Sequence, residues 1–216
     1  MSNEAKFLAH SDIALGHHNY HWTYEFDTNR KKEEKEMKKV YVMCGVPGSG
    51  KSTLAKQLAA EFKGSVNIVS RDQIRFSMVS ENEPYFSKEK AVFNEFIRQS
   101  SESIKKYDLT IIDATHINKA SRNKLVNNLF IKEDIELYFV CMKTGLSQCQ
   151  TWNEARTGRE CVPTTVLREM YSMYERPHSD ELNNYMDAYS YIVKADTILY
   201  VYDNVKDKFR LYGGWW

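Results

Sequence analysis

The sequence predicts an α/β fold, a five-stranded parallel sheet with helices on both faces. Three observations carry that prediction. From Lys39 onward, short β-branched or aromatic runs alternate with helix-length amphipathic stretches, and such alternation calls for crossover helices between parallel strands. A glycine-rich turn, Gly45-Val46-Pro47-Gly48-Ser49-Gly50-Lys51-Ser52-Thr53, joins the first strand directly to a helix. The second and third strands run into Ser70-Arg71-Asp72 and Ile112-Asp113, placing carboxylates at the strand ends where sheets of this class collect ligands.

The elements follow in order. Lys39–Cys44 reads as the first strand, Lys51–Phe62 as a helix and Ser65–Ser70 as the second strand. A long helix is expected over Ser87 to Tyr107, with Ala91, Phe93, Phe96 and Ile97 as its apolar stripe. Leu109–Asp113 is the third strand, Asn118–Phe130 a helix and Ile135–Met142 the fourth strand. Helices are expected over Ser147–Ala155, Pro163–Tyr174 and Asp180–Ser190, the second with proline in its first turn. Thr197–Tyr202 reads as the fifth strand, and after a turn at Asp203-Asn204 an added C-terminal antiparallel strand is placed at Lys208–Tyr212.

Residues 1–38 differ in character and read as an N-terminal extension preceding a main domain over 39–216. Tyr20, Trp22, Tyr24 and Phe26 recur with period two, as on one face of an added strand or docking arm. The segment ends in the mixed-charge run Arg30 to Lys38. His10, His17, His18 and His21 lack the spacing and carboxylate of a defined metal site.

Composition narrows the function classes. A 42% hydrophobic content supports a real core. With a formal net charge of +1 there is no global basic field, so contact with nucleic acid must be local. The cysteines at 44, 141, 149 and 161 form no C-x-x-C pair, and reduced structural thiols in a cytosolic compartment are expected. No stretch approaches the roughly 18 apolar residues of a membrane span, and no basic start leads into an apolar run, so a soluble, cytoplasmic protein is expected.

The Gly45–Thr53 turn fits G-x-x-x-x-G-K-[ST], the Walker A or P-loop pattern. Gly45, Gly48 and Gly50 let the backbone curl so that successive N–H groups, that of Ser49 included, point at phosphate oxygens before a helix N-terminus. Lys51 is placed to reach the β- and γ-phosphates, Ser52 to ligate Mg²⁺ and Thr53 to continue the loop. The cofactors expected are therefore ATP, or another nucleoside triphosphate, and Mg²⁺.

Asp72 and Arg75 stand one helical turn apart beyond the second strand, an acceptor for a hydroxyl proton beside a cation for a phosphate. Against this, Ser70 or Asp72 can serve as a plain N-cap. Asp113 ends the third strand where a carboxylate holds Mg²⁺ or its waters, and no glutamate follows it to polarise an attacking water. Thr115 and His116 are candidate substrate contacts, although His116, as a lone histidine before the next helix, reads first as a structural residue. Asn153 to Pro163 reads as a lid carrying Arg156 and Arg159, both candidates to face the triphosphate and its developing charge.

Four blocks in this order, G-V-P-G-S-G-K-S-T, S-R-D-Q-I-R, I-I-D-A-T-H-I-N and N-E-A-R-T-G-R-E-C-V-P-T-T-V-L-R-E-M-Y, resemble the kinase domain of phage-type polynucleotide 5′-kinases over about residues 39–176. The resemblance implies an adenylate-kinase-like P-loop fold and an ATP- and Mg²⁺-dependent kinase acting on a nucleic-acid hydroxyl, foremost a 5′-OH end, in DNA or RNA modification or repair. It places the protein in the bacterial cytoplasm, as a host or phage product. It implies that Lys51 and Ser52 bind triphosphate and Mg²⁺, that Asp72 is the general base, and that Arg75 grips the acceptor phosphate. It further implies that Asp113 organises metal waters or acceptor and that Arg156 is the lid arginine. Asp113 stands one place earlier than in the phage enzymes, and the lid holds an extra residue, which leaves Arg156 and Arg159 both open. No D-x-D-G-T phosphatase motif is present. Other acceptors for the same chemistry are a hydroxymethylated base in DNA, a nucleoside or a sugar nucleotide. A nucleotide-dependent binding module is the alternative of another class. Oligomeric state is not encoded in any motif.

Overall fold

The computed structural model describes residues 37–130 and 135–177 in full, together with the backbone of three strands over 188–193, 199–203 and 208–212. All belong to one compact unit, Lys35–Trp216. The predicted aromatic arm and its histidines lie outside the described residues, as does 180–187 of the predicted helix Asp180–Ser190.

The parallel part of the sheet is built from β1 (Lys38–Cys44), β2 (Val66–Ser70), β3 (Leu109–Asp113), β4 (Ile135–Met142) and β5 (Ala188–Val193). With β6 (Leu199–Asp203) and β7 (Lys208–Tyr212) it forms a seven-stranded sheet of order β2-β3-β1-β4-β5-β6-β7. β1 sits between β3 and β4, parallel to both, with Met43 opposite Asp113 and Cys44 opposite Cys141. The phosphate-loop motif therefore leaves the middle of the sheet at its carboxyl edge.

Four of the five predicted parallel strands stand where the sequence places them. The fifth does not: Thr197–Tyr202 corresponds to β6, which runs antiparallel to β5. The reason is chain length, since only the segment 194–198 separates β5 from β6, and a parallel return needs a crossover of a dozen or more residues. The fifth parallel strand is Ala188–Val193, so Ala188 to Ser190 are strand and not the end of a helix. Its Tyr-Ser-Tyr-Ile-Val run has the aromatic and β-branched character that suits a pleated surface. β7 pairs antiparallel with β6, as the turn at Asp203-Asn204 predicts.

Alternate strand residues feed two cores, which is why the parallel strands read as nearly continuous apolar runs. Val40, Val42, Cys44, Ile112, Phe139 and Cys141 face one layer, made by α2 (Arg71–Met78), α3 (Glu89–Lys106) and α4 (Lys119–Asn128). Met43, Leu109, Ile111 and Val140 face the other, where Ala55, Leu54 and Leu58 of α1 (Lys51–Glu61) cover them. The α3 stripe is Val92, Phe96, Ile97 and Ile104, with Phe93 half-buried. Ala91, expected in that stripe, is exposed one position off the face. Asn118 caps α4 through a reciprocal box with Ser121, its Oδ1 accepting from Ser121 N at 2.9 Å. Among the described residues no helix is long and apolar enough to cross a membrane, and Cys44, Cys141 and Cys149 are buried free thiols while Cys161 is exposed.

His116 belongs to this core. It turns the chain out of β3 with a positive φ of 39°, its Nδ1 lies 3.0 Å from the Met43 carbonyl, and its ring stacks on Phe96 at 6.2 Å. Burial, reinforced by Arg71 and Arg122, pushes its pKa from 6.5 down to about 4. The folded value is below the unfolded one, so the unfolded chain binds the extra proton between those limits. Stability is therefore full above about 6.5 and falls as pH drops toward 4, by about 3 kcal/mol in all. Urea denaturation of His116→Asn, a residue that tolerates the left-handed backbone, is expected to lack this slope when compared with the parent over the same window. An unchanged slope assigns the pH dependence to other groups.

Candidate active site

The phosphate loop is wedged between strands and helices. Gly45 N donates to the Thr115 carbonyl at 2.8 Å, tying the loop to the exit of β3. Thr144 Oγ1 donates to the Ser49 carbonyl at 2.8 Å from the β4 side. Gly48 has φ +72°, and a Cβ there would stand 2.2 Å from the carbonyl oxygen of Cys149 in α5 (Leu146–Glu154). Gly50, at φ +88°, is the left-handed N-cap from which α1 starts, so the free N–H groups of its first turn face the concavity of the loop.

Lys51 is buried at 7% exposure and its Nζ donates to the Val46 carbonyl at 3.3 Å. Burial pushes the ammonium below its ordinary pKa, while Asp113 and then Asp72 act to raise it and Arg156 to lower it. Both carboxylates and Arg156 thus bear on the Lys51 charge. Ser52 and Thr53 are exposed on the first turn of α1. Ser49 Oγ and Asp113 Oδ1 are buried without a protein partner, and buried polar atoms of this kind ordinarily have one. A left-handed glycine cradle, a helix N-terminus, a buried lysine and two orphaned oxygens fit a triphosphate with Mg²⁺. Among the described residues no cluster of three or more His, Cys, Asp or Glu exists to cage a metal. Mg²⁺ usually keeps waters and phosphate oxygens as ligands and takes only one or two protein groups; Ser52 and Asp113 are the residues that could hold it here.

On the other side of the cleft, Ser70 caps α2 by accepting from Gln73 N, which releases Asp72 from that duty. The Asp72 side chain is 62% exposed. Arg75 Nη1 and the Tyr85 hydroxyl both donate to its Oδ1, each at 3.1 Å, so Oδ2 is left over. Burial and the Asp72 charge raise the Tyr85 pKa, which keeps the phenol a donor.

Arg75 differs from the sequence expectation. It is buried at 4% exposure, pairs with Glu89 of α3 at 2.5 Å, and lies 4.6 Å from the Tyr85 ring. Glu89 also binds Arg71. In this arrangement Arg75 holds Asp72 in place and offers no open grip for a phosphate. Thr115 is half-buried and contributes its carbonyl to the loop. His116, also read as a candidate substrate contact, is closed inside the core.

The segment read as a lid runs from α5 through a 3-10 turn at Gly158–Glu160 to α6 (Thr164–Ser172). Buried Asn153 clasps its two ends: Nδ2 donates to the Val162 carbonyl at 2.7 Å and Oδ1 accepts from Val162 N at 3.1 Å. The two lid arginines diverge. Arg156 is half-exposed and bears on the Lys51 charge. Arg159 turns away from the phosphate loop: its Nη1 donates to the Val79 carbonyl at 2.8 Å and its guanidinium lies against the rings of Phe76 and Tyr85. Its expected triphosphate contact is thus replaced by contact with the segment after α2.

Sequence reasoning missed Tyr85, Glu89 and Asn153. Arg71 and Arg75 at i,i+4 on one helix face signal a need for an acid opposite, which Glu89 meets. No local pattern reveals Tyr85 or the Asn153 clasp.

These features define a P-loop kinase-like α/β domain with a nucleotide-binding loop. Residues 40–177 match the AAA domain family, and the chain belongs to that family. No curated protein matches the chain in sequence. Among solved structures, one from the Pnkp1/Rnl/Hen1 RNA repair complex is similar with a TM-score of 0.56 at 20% identity. The match covers 67% of this chain and 46% of that one, so this chain spans under half the length of that neighbour. Chaetomium thermophilum Kti12 in complex with ADP-AlF3 is similar with a TM-score of 0.52 at 17% identity, over 73% of this chain and 90% of that one. At these identities the likeness is one of fold.

Gly48→Ala is expected to abolish nucleotide binding, because the added methyl meets the Cys149 carbonyl and φ +72° is strained for alanine. Isothermal titration with ATP checks this, beside circular dichroism to show that the sheet persists. Wild-type affinity in a folded variant refutes the wedge.

Proposed function

We propose that this chain is a phosphotransferase that moves the γ-phosphate of ATP to a hydroxyl of a nucleic acid, foremost a 5′-OH end. The observation that carries the reading is Asp72: exposed at the carboxyl edge of the sheet, within electrostatic reach of Lys51, and fixed through one carboxylate oxygen while the other is free. A nucleotide switch has no use for an oriented spare carboxylate oxygen, whereas acceptor phosphorylation needs a base. A fold neighbour found in an RNA repair complex is consistent with a nucleic-acid acceptor.

In this reading Asp72 Oδ2 takes the acceptor proton as the hydroxyl oxygen bonds to the γ-phosphorus. The bond from phosphorus to the β–γ bridging oxygen breaks, and ADP leaves. Lys51 and Arg156 balance the charge on the transferring group. Ser52 and Asp113 would hold Mg²⁺, which would add positive charge at the phosphate oxygens. Arg75 and Tyr85 orient the base, and the lid excludes water, which favours the acceptor over hydrolysis.

The test offers γ-labelled ATP to the protein with 5′-OH DNA and RNA strands, hydroxymethylated-base DNA, nucleosides and a sugar nucleotide. Label on a 5′-OH strand is the expected result. Transfer to none of them, with ATP still bound, removes the kinase reading and leaves a nucleotide-dependent binding module. Asp72→Asn is expected to lose at least about a hundredfold in turnover with ATP affinity retained, and undiminished turnover removes the base assignment. For the lid, Arg156→Ala is expected to lower kcat by about a thousandfold, whereas Arg159→Ala mainly raises the acceptor KM. The reverse pattern exchanges the two arginines.

A further inference from the structure

The segment between α2 and α3 carries an exposed aromatic side chain beside the candidate base. Phe86 is 67% exposed. A single exposed phenylalanine needs no explanation in itself; Phe130, at 70%, is another. What distinguishes Phe86 is where it is and how firmly it is held. Its ring meets that of Tyr85 edge-on, at 4.8 Å and 88°, and Tyr85 hydrogen-bonds Asp72. The Arg75 guanidinium lies 5.3 Å from the same ring, and Arg75 also holds Asp72. Through Tyr85 and through Arg75, Phe86 is one side chain away from the candidate base.

The backbone around it is tied down. Glu83 N donates to the Ser80 carbonyl at 3.1 Å, Ser87 N to the Pro84 carbonyl at 2.9 Å, and Glu89 N to the Phe86 carbonyl itself at 3.2 Å. Lys88 Nζ reaches the Met78 carbonyl at 2.9 Å and pairs with Glu83 at 3.0 Å. A ring presented on so fixed a segment loses little freedom when a ligand covers it.

Resting on the nucleic-acid reading above, we infer that Phe86 is the stacking surface for the terminal base of the acceptor, and so a specificity-determining residue for which ends are phosphorylated. Two observations favour a planar base over a sugar or a phosphate. Phe86 offers an apolar face and no hydrogen-bonding group, and a base is the part of a nucleotide that matches it. The chain's net charge of +1 gives little general pull on a phosphate backbone, so affinity rests on local contacts, of which a stack on the terminal base is one. Arg75 behind the ring is buried against Glu89 and is not free to supply a phosphate contact.

The test compares two single strands that differ only at the first residue: adenine, or an abasic tetrahydrofuran residue bearing the same 5′-hydroxyl. Initial rates with γ-labelled ATP give kcat and KM for each strand. The parent protein is expected to show a KM about tenfold lower for the base-bearing strand, within the range that one base stack contributes. Phe86→Ala is expected to erase that preference by raising the KM of the base-bearing strand, and Phe86→Trp to restore it. A preference that survives in Phe86→Ala overturns the inference, as does an equal loss on both strands. A parent protein that phosphorylates both strands without preference overturns the stacking role alone. One that phosphorylates neither strand overturns this inference together with the acceptor reading on which it rests.

Discussion

The wedge of Gly48 under the Cys149 carbonyl is the constraint around which the rest of the site is arranged. β1 ends in the middle of the sheet, and the chain must turn back into α1 beneath the start of the lid helix. Only a residue without a side chain passes there, and only a left-handed backbone at Gly48 and Gly50 lets the following helix begin at Lys51. That turn buries the lysine and leaves Ser49 Oγ and Asp113 Oδ1 without protein partners. It also brings the lid onto the loop, because α5 is the element that the glycine touches. Donor binding and lid attachment follow from one close approach.

A second arrangement holds Asp72. Glu89 reaches from α3 to both Arg71 and Arg75 of α2, and Arg75 passes the restraint on to Asp72. The exposed carboxylate is thus held by a buried cation that is itself held by an acid. Breaking a partly buried pair of this sort exposes an uncompensated charge, so Asp72 is positioned by groups that have strong reasons to stay where they are. The two groups are built differently: a backbone cradle at the phosphate loop and a side-chain relay at Asp72.

The legible part of this molecule was the local part. Strand β1, the glycine turn and α1 follow one another without interruption, and their pattern is complete within a few residues. Asp72 at the end of β2 is legible for the same reason, because a strand followed at once by a helix fixes the sheet edge. The roles of Arg75 and Arg159 were not legible. Their partners, Glu89 and Val79, lie 14 and 80 residues away in the chain, and nothing in the spacing of an arginine says whether its guanidinium will meet a ligand or a neighbour. A structural role for His116 was legible, but its partners were not, because they are Met43 and Phe96 from other elements. The first residues of β5, Ala188 to Ser190, were read as the end of a helix, while the strand's register with β4 is a property of the sheet.

The Arg159 bond to the Val79 carbonyl reaches further than the lid. Val79 closes α2, the helix that carries Asp72, and the same guanidinium lies against Tyr85, which hydrogen-bonds that carboxylate. One guanidinium thus fastens the 153–163 segment both to the end of the helix that carries Asp72 and to the ring that hydrogen-bonds it, three elements joined by a single side chain.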